Sequence, residues 1–98
     1  MNNKNIFTED VTIISVVPLD FTSSNGDKIC GYTVHYFRDL SQSEKGKVIG
    51  KKYEKIYLSK ERLDDKVKYE TKIYPIKAKI DFAFESLSQK PKPIDIKF

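Results

Sequence analysis

Apolar residues recur at every second position over several stretches of the chain, the period at which successive strand side chains point to opposite faces. From Val11 to Phe21 the odd positions Val11, Ile13, Val17, Leu19 and Phe21 make such a stripe. Ser15 interrupts it, while Ile14 and Val16 add apolar groups to the other side. Pro18 cannot donate to a ladder, which suggests an edge, a bulge or the end of regular pairing. The stretch Thr22-Ser23-Ser24-Asn25-Gly26-Asp27 follows, and Asn-Gly supplies the positive φ angles of a tight hairpin, so the flanking strands should pair antiparallel. The second strand runs from Lys28 to about Arg38. Cys30, Tyr32, Val34 and Tyr36 lie on one side of it; Ile29, Thr33, His35 and Phe37 lie on the other. Gly31 has no side chain to pack and marks a bend, a bulge or a close backbone approach.

Residues 39 to 50, with Ser, Gln and two glycines, read as a long, mobile connection. The next strand, Lys51 to Leu58, puts Lys51, Tyr53, Lys55 and Tyr57 on one face and Lys52, Glu54, Ile56 and Leu58 on the other. Ser59 suits the N-cap of a short helix over Lys60 to Lys68, with Leu63 and Val67 as its narrow apolar stripe. Strand periodicity returns from Ile73 to Glu85, with Tyr74, Ile76, Ala78, Ile80, Phe82 and Phe84 opposite Lys77, Lys79 and Asp81. After a turn over Ser86 to Pro93, Ile94, Ile96 and Phe98 should point inward. The fold class predicted is all-β: a five-stranded OB-fold-like Greek-key barrel with one short helix between strands 3 and 4.

Ninety-eight residues bound the chain to one small domain spanning 1–98, with 1–8 as a loose arm. Eighteen Lys+Arg against 14 Asp+Glu leave a net charge of +4, which suits an anionic partner without demanding one. Cys30 is the only cysteine, so no intrachain disulfide forms. No signal-peptide pattern or membrane-span run appears, so the chain reads as a soluble, cytoplasmic protein with no membrane partner. His35, the lone histidine, has no second ligand nearby beyond Cys30, which falls on the opposite strand face. No metal, cofactor or catalytic set is expected, and the protein is read as a non-enzyme.

The strand around Tyr53 and Tyr57 carries the candidate chemistry. Two rings interleaved with Lys51 and Lys55 match what a single-stranded nucleic acid presents, a π-face on every base and a negative charge on every linkage. The rings could instead be amphipathic packers on a half-exposed sheet. Either face of the second strand fits the core. With Ile29 and Phe37 inward, the arrangement expected, Tyr32 and Tyr36 join Tyr53 and Tyr57 in one aromatic strip. Lys28, Arg38, Lys77 and Lys79 are candidate phosphate contacts, though outward lysines are also ordinary solvated positions.

The layout resembles the small single-stranded DNA-binding, helix-destabilising proteins of bacteriophages and mobile elements. The resemblance spans most of residues 11 to 98. The hairpin Ser24-Asn25-Gly26-Asp27-Lys28, the strand Gly31 to Phe37, the strand around Tyr53 and Tyr57, and the segments Pro75 to Phe84 and Ile94 to Phe98 carry it. It implies cooperative coating of single strands in replication or recombination, often as a dimer, in a bacterial host cytoplasm if the chain is phage-encoded. The acidic tail of cellular single-strand binding proteins has no counterpart here, where Phe98 closes a strand-like run. Two other readings stay open: a β-barrel adaptor that grips a protein through the tyrosine-rich face, and an RNA-binding cold-shock-like barrel.

Overall fold

The computed structural model of the chain describes residues 5–84 and 90–98. Five strands, β1 (Asn5–Thr22), β2 (Lys28–Arg38), β3 (Lys52–Ser59), β4 (Ile76–Phe84) and β5 (Lys92–Lys97), and one short helix, α1 (Lys66–Glu70), make up the described structure. The helix falls between β3 and β4, as the periodicity predicts. The five strands pair antiparallel throughout, in one sheet of order β3-β2-β1-β4-β5. The two outer strands, β3 and β5, approach each other, but among the described residues no ladder joins them and the sheet stays open.

The long first strand departs from its expected phase at one point. A bulge between Ile13 and Ser15 leaves Ile14 as an extra residue in the ladder with β2. Before the bulge Val11 and Ile13 point into the core; after it Val16 packs there, opposite Val34. The odd-numbered stripe read from the sequence therefore changes sides. Val17 and Phe21 emerge on the opposite face, 41% and 51% exposed. Pairing with β4 covers only Asn5 to Ile13, so beyond the bulge β1 has a free edge, where Pro18 is tolerated. Residues 5 to 8, expected in a loose arm, are strand residues paired with β4. Phe7 stacks on Phe82 there, ring centroids 5.2 Å apart.

The core lies on the face lined by Ile13, Tyr32, Val34, Leu58, Ile80 and Ile96, each with at most 2% of its surface exposed. α1 closes one side of it. Its buried residue is Tyr69, whose ring lies 4.6 Å from that of Tyr32, whereas Val67 is 62% exposed. Ser59 ends β3 instead of capping a helix, and Asp65 precedes α1 without a side-chain cap bond. Asp65 instead accepts a hydrogen bond from the Tyr32 hydroxyl at 2.7 Å. At the other end, β4 begins at Ile76 and leaves Ile73 exposed. A register shift in the β4 and β5 ladder makes Ile94 an extra residue and leaves it exposed, against expectation, while Ile96 is fully buried. Phe98, beyond the strand and also expected inward, is partly exposed with its ring edge-on to Tyr69. The end of the predicted fourth strand at Glu85, and the turn residues 86 to 89, lie outside the described residues.

Residues 39 to 50, read from sequence as mobile, are fastened at their base. Arg38 donates to both carboxylate oxygens of Glu44, at 2.9 and 3.1 Å, and to Glu54 at 3.1 Å. The Ser41 amide also donates to Glu44, and backbone bonds to Ser41 and Glu44 form two turns.

Gly31 is required by close approach. An added Cβ would collide with the Leu58 carbonyl oxygen and lie 2.9 Å from the Tyr57 hydroxyl. Gly31→Ala should therefore destabilise the fold by about 1–3 kcal/mol, the range for forced overpacking, measurable by urea unfolding. A second expectation concerns acid. The Arg38 guanidinium, with help from the Ser41 amide, lowers the Glu44 carboxyl from 4.5 to about 2. A depressed carboxylate contributes stability above its unfolded-state value and loses it as pH falls through the folded one. Melting temperature should thus decline between pH 4.5 and 2, and Glu44→Gln should flatten that decline while lowering stability at neutral pH.

Candidate nucleic-acid interface

Cross-strand register assembles the outer face row by row, because directly opposed residues of antiparallel strands point to the same side. One row runs Tyr53, Phe37, Thr12, Lys77 across β3, β2, β1 and β4. The next sets Lys55 beside His35 and Ser15; the third sets Tyr57 beside Thr33 and Val17. Beyond Gly31 and Leu19, the last row is Ile29 and Phe21. Eight residues of β2 separate the first and last rows, about 26 Å at a strand's rise. Phe37, Tyr53 and Tyr57 are 38%, 50% and 40% exposed, so this face presents rings to water.

The two tyrosines of β3 are held in different ways. Tyr53 shares a 2.6 Å hydrogen bond with His35 Nδ1, the two rings inclined at 22°, and meets Phe37 edge-on. Tyr57 donates from its hydroxyl to the Cys30 carbonyl at 2.8 Å, its ring lying over the space that Gly31 leaves open. Both rings are thereby oriented before any ligand arrives. Fixed rings lose less entropy when a base stacks on them.

The expected outward placement of Tyr32 and Tyr36 is corrected. They are 0% and 3% exposed, so no base can stack on either. Their neighbours explain why: Tyr32 lies opposite Leu58 and Pro18, and Tyr36 opposite Ile13 and Glu54. Once Ile56 and Leu58 take the core side of β3, register carries Val34 and Tyr32 inward with them. The Tyr36 phenol is pushed up to about 12, first by burial and then by Glu9 and Glu54. Burial, then the hydrogen bond to Asp65, raises Tyr32 in the same direction.

The candidate cations divide into free and engaged. Lys55 and Lys77 form no ion pair among the described residues and are exposed. Lys51 pairs with Asp39 at 2.8 Å, Lys79 with Asp10 at 3.0 Å and Lys28 with Asp20 at 3.9 Å, all at exposed positions. Arg38 is different: its side chain is only 20% exposed and is committed to Glu44 and Glu54, so it is corrected from phosphate contact to structural fastening. Lys28, opposite Thr22 by the hairpin, alternates with Ile29 and so falls on the other side of β2, which corrects its expected place on this face.

Sequence reasoning missed His35, Phe37, Val17 and Phe21 as parts of this face. The break at Ser15, with apolar Ile14 and Val16 beside it, was the available sign of the phase change. Among the described residues no group of three or more His, Cys, Asp or Glu could hold a metal ion, and no helix is long and apolar enough to cross a membrane. Compared with protein-family models, curated proteins and solved structures, the chain matches none.

Proposed function

We propose that the chain is a non-enzymatic single-stranded DNA-binding protein that holds the strand on the outer face of β1, β2 and β3, with little sequence preference. The observation that carries this reading is the exposed pair Tyr53 and Tyr57, oriented by hydrogen bonds and flanking Lys55, which has no ion pair among the described residues. Rings about 13 Å apart on one strand offer stacking surfaces to successive parts of one oligonucleotide, with an ammonium group between them for a phosphate. The helix between β3 and β4, and β1 central between β2 and β4, are consistent with an OB-fold-like arrangement, which binds oligonucleotides around its second and third strands. Coating of exposed strands during replication or recombination in the cytoplasm is the role this activity fits. Binding only unpaired DNA would also melt duplex by mass action.

One observation favours a protein-binding reading. Val17, Leu19, Phe21 and Ile29 extend the face with apolar groups, and among the described residues no lysine or arginine shares their rows; such patches often meet proteins. A titration of oligo-dT against duplex DNA and matched RNA at several salt concentrations separates the readings. Single-strand binding predicts preference for oligo-dT over duplex and a log-linear loss with salt. Equal affinity for both forms, or no binding at low salt, would refute it, and the latter favours the adaptor.

Tyr53→Ala and Tyr57→Ala should each weaken binding by about 1–3 kcal/mol, and Tyr53→Phe much less, since the ring survives. Tyr32→Phe should leave affinity unchanged. Lys55→Ala should reduce the slope of log affinity against log salt by about 0.7, read from the same titrations. His35→Ala should fall between Tyr53→Phe and Tyr53→Ala, because it removes both the anchor and the neighbouring ring.

A further inference from the structure

At the cationic end of the first row, beside Phe37, the surface opens into a cleft of about 340 Å³. That volume lies at the lower end of small-ligand clefts. Thr12 and Phe37 line it, together with Asp10, Asp39, Lys51 and Lys77. Arg38 also borders it, but its charge is met by Glu44 and Glu54. The remaining groups are two cations and two carboxylates. A phosphate is held by an excess of donors, and this cleft offers acceptors in equal number. The Lys51 ammonium holds the Asp39 carboxyl below the usual carboxylate range, so it is an ionised acceptor at neutral pH. The ion pairs of Asp39 and Asp10 each use Oδ1, and both side chains are largely exposed, at 83% and 79%. Each keeps Oδ2 for another donor.

A mixed set of donors and acceptors beside an aromatic ring matches the edge of a nucleobase better than it matches a phosphate. We propose that this cleft receives one base turned off the bound strand, and that within an otherwise sequence-tolerant grip it modestly favours bases whose Watson–Crick edge carries both an exocyclic amine and a carbonyl, cytosine and guanine, over thymine. The inference rests on the single-strand reading above. The carboxylates of Asp39 and Asp10 accept from the amine, as carboxylates do from cytosine N4. Lys77, free of any ion pair among the described residues, donates to the carbonyl at the other end of that edge. Thymine would set a carbonyl oxygen against a carboxylate instead. Phosphates on either side of the turned-out base run toward Lys55 and solvent.

The experiment compares oligo-dC, oligo-dU and oligo-dT of about a dozen nucleotides, slightly above neutral pH and at fixed salt, following quenching of tyrosine emission. Oligo-dU is included because it lacks the thymine methyl group and replaces the cytosine amine with a carbonyl. Oligo-dC should bind roughly fivefold tighter than either of the others, the low end expected for an exposed base-edge contact. In the double variant Asp10→Ala and Asp39→Ala the ratio should fall to about one, while affinity for oligo-dT stays the same or rises because negative charge is removed. Both positions are exposed, so folding is preserved. Equal affinities in the unmodified protein, or a preference that survives in the double variant, would overturn the base-selective cleft and leave strand binding standing. Failure of every oligomer to bind would overturn strand binding itself, and the cleft with it.

Discussion

Val34 sits between Val16 and Ile56, wholly removed from water, and the two ladders that hold it there decide where every other side chain of the three strands points. Because strand side chains alternate, one residue of slippage would exchange the core set for the solvent set. In this register the inward set of β2 is Cys30, Tyr32, Val34 and Tyr36, and Phe37, His35 and Thr33 are turned out. The bulge at Ile14 is what lets β1 satisfy both of its partners. It keeps Val11 and Ile13 on the core while feeding Val16 to the same side further along.

The same constraint sorts the tyrosines by task. Tyr32 and Tyr69 bury their rings against each other, and the Tyr32 hydroxyl reaches Asp65 at the edge of the core. Tyr53 and Tyr57 spend their hydroxyls on His35 and the Cys30 carbonyl and leave their rings partly in water. A phenol can serve either way because only one end of it is polar. Gly31 connects the two arrangements: its missing side chain admits both the β3 backbone and the Tyr57 ring.

Charge is distributed by a similar logic. Arg38 is the cation best suited to two carboxylates at once, since its planar fork can bond both, and it closes the connection between β2 and β3. That leaves the lysines to face outward. Lys68 ties α1 to the Ile96 carbonyl and Asp95, whereas Lys55 and Lys77 are left without ion pairs among the described residues. The sheet thus uses its most specific cation for structure and its least constrained ones on the face that carries the exposed rings. Exposed ammonium groups contribute little to stability, so their placement costs the fold almost nothing.

Local pattern alone was enough for the strand count, the place of the first hairpin though not its turn, where only Gly26 and not Asn25 takes a positive φ, the helix between the third and fourth strands, and the outward faces of Tyr53, Lys55, Tyr57 and Lys77. Each of these follows from period or turn chemistry within a few residues of sequence. The helix limits were less legible, because a five-residue helix is set by the burial of Tyr69 and not by its own stripe. Nor could the side of Tyr32 and Tyr36 be read, since β2 is apolar on both faces and alternation there supports two answers. Only pairing with Ile56 and Leu58 on one flank, and with a bulged β1 on the other, removes the ambiguity. Arg38 likewise looked like any outward cation until the chain brought Glu44 and Glu54 to it. Periodicity is a property of one strand, whereas the choice between two apolar faces is made by whichever neighbours can exclude water from one of them.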